Sequence, residues 1–166
     1  MISDLEDNRI ISLELLANDL GLEIKTLKDN PEIITLFIFF HEVGHAEDYI
    51  KNYMLPHGSK ANEVKKTTRK TEKESLPIPG CDPAQALSLA KTGKLDMFFK
   101  NNEHYYSSRS IHTVQELLDA NERAYRKLPS EAYADNFAAK TIKKNLDIIL
   151  SSSTHKKIDA CLSLKS

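Results

Sequence analysis

The stretch FFHEVGHAEDY, residues 39–49, sets two histidines four residues apart with a glutamate beside the first. Imidazole nitrogens and carboxylate oxygens are donors that zinc accepts, and a carboxylate can also act as a general base. On a helix, positions i and i+4 share a face, so His41 and His45 can reach a single ion. Glu42 is rotated about 100° from His41, so it can face a water on that ion without ligating it. Two neutral imidazoles and one carboxylate leave a fourth position open. There the ion lowers the pKa of a bound water steeply, and Glu42 can take its proton. Apolar residues, IITLFIFF, crowd the N-terminal side of this pentad. Leaving the imidazoles and the carboxylate without partners in such surroundings would be costly.

The pentad needs a third ligand from elsewhere. A downstream HxxGxxH arrangement would require a glycine three residues after His45 and a histidine three beyond it, and Asp48 and Lys51 stand there instead. The final helical segment offers a carboxylate. Within SEAYADNFAAK, Glu131, Ala134, Asp135 and Ala138 occupy one stripe. The two alanines let this helix approach another closely, and Glu131 would project from the contact. Asp135, one turn on, is placed to accept a hydrogen bond from the outer nitrogen of a ligand histidine, which fixes its tautomer. His104 and His112 in NNEHYYSSRSIH are competing ligands, with Glu103 and Asp48 behind them.

HExxH followed by a helical ExxxD resembles the gluzincin side of the zincin metallopeptidases. The string EAYADNFA is similar to the ExxANxFA segment of the ImmA/IrrE-like family, with Asp135 where that family often has Asn. The resemblance covers about thirty residues in two blocks, 34–49 and 130–142. It implies that Glu131 is the third zinc ligand, that the fold is a zincin-like helical domain, and that the reaction is peptide-bond hydrolysis. Zincins of this kind often steady the oxyanion with a Tyr or His, for which Tyr105, Tyr106, Tyr133 and His104 are the candidates. Eighty-five residues separate His45 from Glu131, more than in compact members, so residues 55–112 read as an insertion.

The elements that must position these groups are mostly helices. Asn30-Pro31 is a good helix opening, and the chain from Pro31 to Met54 has no breaker except Gly44. Leu36, Phe39, Phe40, Val43, Ala46, Ile50 and Tyr53 recur mostly at three and four, which predicts a core-facing stripe. Residues 2–20 fit one helix or a strand-containing start. Between Lys60 and Glu74 the local net charge is +3, with Pro and Gly at both edges, which predicts a solvated loop or flexible insertion. Asp82 caps a short helix opened by Pro83 and ended by Gly93. Thr113 with Glu116 is a capping-box pattern, and Pro129-Ser130 opens the last long helix. The expectation is a single, mainly α domain over residues 1–166, with a loop-rich insertion at 55–112 and at most a small β-sheet, near the N-terminus or within 94–112.

Composition bounds the rest. In 166 residues, 40% hydrophobic and 28% charged, the net charge is −1. That balance argues against a protein built to neutralise nucleic-acid phosphates. Cys81 and Cys161 make neither a disulfide framework nor a CxxC pair, and read as reduced thiols. The longest apolar run, residues 33–40, is far short of the ~20 residues that span a bilayer. MISDLEDNR is acidic where a secretory signal would be basic, so the expected compartment is the cytoplasm. The favoured reading is a cytoplasmic, one-zinc endopeptidase acting on a protein or peptide substrate. A zincin-fold binding or regulatory module is the alternative, and a helical protein with a fortuitous pentad is the third.

Overall fold

Asp82 and Thr113 start helices for local reasons. The Asp82 carboxylate accepts from the Gln85 backbone N–H at 2.9 Å while the Gln85 side chain accepts from the Asp82 N–H at 3.0 Å. Thr113 and Glu116 make the same reciprocal pair. Each box satisfies N–H groups that a helix start leaves without partners.

The computed structural model describes residues 13–163, and side chains for residues 13–151. Helix α1 covers residues 13–20. There follow α2 (Ile24–Asp29), α3 (Pro31–Tyr49), a π-helical turn (Ile50–Met54), α4 (Leu55–His57) and a 3-10 turn (Gly58–Lys60). The remainder is α5 (Ala61–Glu74), α6 (Pro83–Lys91), α7 (Lys94–Asn101), α8 (Glu103–Ser107), α9 (Val114–Arg126) and α10 (Pro129–Ser163). The fold is mainly α, with no strand among the described residues. The room for a sheet within 94–112 is taken by α7 and α8; the start of the 2–20 segment and the Cys161 side chain lie outside the described residues. No described helix is long and apolar enough to cross a membrane.

The described chain forms two compact units. One comprises 13–46 and 133–163. Its core joins Leu16, Ala17 and Leu20 of α1, Leu27 of α2, Ile33 and Phe37 of α3, and Ala138, Ala139 and Ile142 of α10. The other comprises 47–132, with a core of Ile78, Ala86, Leu95, Tyr106 and Leu117.

Two expectations are corrected. The core-facing row of α3 is Ile33, Phe37, Gly44 and Asp48, whereas Ile38 and Phe39 are 59% and 60% exposed. IITLFIFF is apolar on all sides, so spacing within it selects no face. The segment read as a solvated loop is the fourteen-residue helix α5. Its Lys, Glu and Arg side chains are good helix formers. Its half-buried row, Val64, Lys65, Thr68, Arg69 and Glu72, is mostly polar and hides the usual apolar signature. The stretch 55–112 is therefore helix-rich, not loop-rich.

Between α5 and α6, residues 75–82 are held by a fully buried Asn121 on α9. The Ile78 N–H donates to Asn121 Oδ1 at 2.9 Å, and Asn121 Nδ2 donates to the Cys81 carbonyl at 3.1 Å. Cys81 is half-buried, and that burial pushes its thiol pKa up, away from thiolate chemistry. Asn121→Ala strands one buried and one part-buried backbone group, so urea unfolding should show a loss of about 2–3 kcal/mol with an unchanged slope.

Candidate metal centre

The row of α3 that begins with Ile33 and Phe37 continues into His41, Gly44 and Asp48, so His41 and Asp48 share the buried side of the helix. The His41 ring stacks against Phe37, with centroids 6.4 Å apart and planes at 29°. One turn later His45 presents its ring edge-on to His41, with centroids 4.5 Å apart.

Helix α10 reaches this row because both helices carry small residues where they cross. Ala134 and Ala138 are fully buried. A Cβ placed on Gly44 would lie 2.8 Å from the Ala134 Cα and 3.1 Å from both the Ala134 carbonyl oxygen and the Phe137 Cβ. Backbone therefore lies on backbone. This puts Asp135 beside His41, with Oδ1 2.9 Å from Nδ1. An ionised carboxylate can only accept, so Nδ1 carries the proton and donates it, and in the neutral imidazole Nε2 then holds the lone pair that a metal needs.

Glu131 stands one turn before Asp135 on the same helix and is 4% exposed. One ligand atom from each of His41, His45 and Glu131 lies within 4.8 Å of the other two. This donor set, two imidazoles and a carboxylate, fits a divalent zinc ion. Of the competing ligands, His104, His112, Glu103 and Asp48 belong to no such group of three among the described residues.

Within its own unit Glu131 is tightly held. The Tyr125 hydroxyl donates to Glu131 Oε1 at 2.9 Å, and Arg69 Nη2 donates to the same oxygen and, at 3.3 Å, to the Tyr125 oxygen. Burial and the neighbouring Glu131 carboxylate push the Tyr125 phenol far above its ordinary value, so it stays a donor. Burial works against the Arg69 charge, yet Glu131 outweighs it and raises the guanidinium's pKa.

Glu72 is drawn up by burial and lies within charge reach of Arg69, Asp48 and Glu131. Glu72 Oε2 and Asp48 Oδ2 are shut off from solvent with no hydrogen-bond partner, although Asp48 Oδ1 accepts from Asn52 at 2.7 Å. Glu72 thus has two further carboxylates, Asp48 and Glu131, and one guanidinium within charge reach, a formal charge of about −2 for the four groups that one divalent cation would cancel.

Glu42 is exposed on the flank of α3, one position from His41. The named oxyanion candidates differ in their surroundings. Tyr106 is buried in the core of its unit and donates to the Pro77 carbonyl at 2.7 Å. Tyr105 is exposed with Arg109 over its ring, and His104 is exposed on α8. Tyr133 is half-buried on α10, two residues past Glu131. Sequence reading missed Arg69 and Tyr125. A signal for the first was available: Arg69 is the one arginine among five lysines between Lys60 and Lys73, and arginine suits buried ion pairs better than lysine. Tyr125 gave none.

No family model, no curated protein and no solved structure matches this chain.

Gly44→Ala should cost about 1–3 kcal/mol, because the atoms its methyl meets are mostly backbone and cannot rotate away. Thermal unfolding of the purified variant measures it.

Proposed function

We propose that the protein is a zinc metallopeptidase in which His41, His45 and Glu131 hold one zinc ion per chain and Glu42 is the general base. The observation that carries this reading is the proximity of the two imidazoles and the carboxylate, all three ligand atoms within 4.8 Å. The tautomer set on His41 by Asp135, and an anionic surplus of the size one divalent cation cancels, support it.

Zinc held there would supply Lewis acidity, polarising a scissile carbonyl and lowering the pKa of a water molecule. Glu42, exposed beside His41, would act as the general base, taking a proton from water and handing it to the leaving amine. Asp135 keeps the His41 lone pair on the metal side throughout. The Tyr125 hydroxyl fixes the Glu131 carboxylate, so its orientation is set before substrate arrives. The substrate is a protein or peptide, the compartment the cytoplasm, and the fold a zincin-like helical one.

Glu42→Gln separates this from a metal-holding binding module. The variant should keep stoichiometric zinc by elemental analysis and lose peptide hydrolysis by a factor of about 10³ or more, as loss of a general base at such a site implies. Retained hydrolysis would exclude the assignment of Glu42. In parallel, Glu131→Ala should lose its zinc on mild dialysis against a chelator, whereas the wild type keeps it.

A further inference from the structure

The Asp48–Glu72 pair is unexplained by the role given to Glu131. Two carboxylate oxygens, Asp48 Oδ2 and Glu72 Oε2, are sealed from solvent without a hydrogen-bond donor, and Asp48 as a whole is only 5% exposed. An ionised carboxylate in such surroundings calls for a donor or a cation. The lysines closest to the pair along the chain are committed elsewhere. Lys73 pairs with Asp82 at 2.9 Å, Lys51 with Glu47 at 2.6 Å, and Lys65 sits over the Tyr49 ring at 5.0 Å. A cation from outside would have to open the unit to reach oxygens closed to water.

One cation is already inside. Arg69 sits on α5 three residues before Glu72, so the two side chains emerge from the same face of the helix. Its guanidinium has five N–H groups, and Nη2 is engaged with Glu131 and Tyr125. A turn of the Arg69 side chain about its own torsions carries those donors toward Glu72, with no change in the backbone.

We propose that Arg69 and a divalent cation compete for Glu131, and that the Asp48–Glu72 pair is the second seat to which the guanidinium moves when the metal wins. The inference rests on the metal reading of His41, His45 and Glu131. Moving the guanidinium frees Glu131 Oε1 from the charged donor that occupies it. It also gives donors to the two sealed oxygens. Tyr125 remains on Glu131 and holds the carboxylate in place while its cationic partner changes. Metal uptake is thereby coupled to an internal rearrangement, and the metal affinity is set by the difference between the two seats rather than by the ligands alone.

The test is zinc affinity, measured by competition with a chromogenic chelator, for the wild type, Arg69→Met, Glu72→Gln and the double variant, with Arg69→Gln as a second replacement should the methionine variant fold poorly. Competition predicts that removing Arg69 tightens zinc binding by about tenfold or more. Removing the second seat with Glu72→Gln should weaken it by about tenfold, and that weakening should vanish in the double variant. Weaker binding in both Arg69 variants would overturn the proposal, since Arg69 would then only position Glu131. A Glu72→Gln effect that persists undiminished without Arg69 would also overturn it, as plain through-space charge. Wild-type protein that takes up no zinc, or zinc that survives His41→Ala/His45→Ala, removes the metal reading and the proposal together. One zinc bound through the histidines with no Arg69 dependence removes the proposal alone.

Discussion

The contact between Gly44 and Ala134 is the constraint on which the candidate centre depends. With a Cβ on Gly44 lying 2.8 Å from a backbone atom, α3 and α10 could not keep their present spacing. The carboxylate of Asp135 reaches His41 because the residue before it has almost no side chain and the residue opposite has none. A short polar side chain such as Asp has little reach, so where it meets an imidazole is set by how close the two helix axes come. Packing at one small-residue crossing thus sets the His41–Asp135 hydrogen bond, and the tautomer that this bond favours decides which nitrogen would face a metal.

Charge is distributed as unusually as packing. A half-buried guanidinium is shared between a hydroxyl and a carboxylate, and two further carboxylate oxygens lie sealed nearby without donors. Ordinary cores avoid this, because an uncompensated buried charge costs more than a hydrogen bond returns. Such imbalances collect where a protein binds an ion. The apolar clusters of the two units, Leu27 with Ile33 and Ile142 in one and Leu95 with Leu117 in the other, supply the stability that tolerates them.

Much of the secondary structure could be read directly. Asp82 with Gln85, Thr113 with Glu116, and Pro129 mark helix starts by chemistry confined to four residues, and the helices begin there. The stripe of Glu131, Ala134, Asp135 and Ala138 was likewise visible in the last helix, because i, i+3 and i+4 spacing is a property of one helix. The faces of α3 were not. Phe39 and Val43 match a core stripe as well as Ile33 and Phe37 do, yet Phe39 is 60% exposed and Phe37 8%. The helix α5 was misread for the opposite reason: its inward row is charged, and composition reports charge as solvation.

By itself the sequence determined where α3, α6, α9 and α10 start, that the chain is mainly α, and that two imidazoles one turn apart accompany a glutamate, since each of these is fixed within a few residues. Tertiary structure alone decided that Ile33 and Phe37 rather than Phe39 turn inward, that Asp135 meets His41, and that Arg69 and Tyr125 share Glu131, residues 62 and 6 positions away along the chain. The physical reason is range. Capping and periodicity act through the local backbone, whereas the face a helix buries and the partner a charge finds depend on which distant surface packs against it.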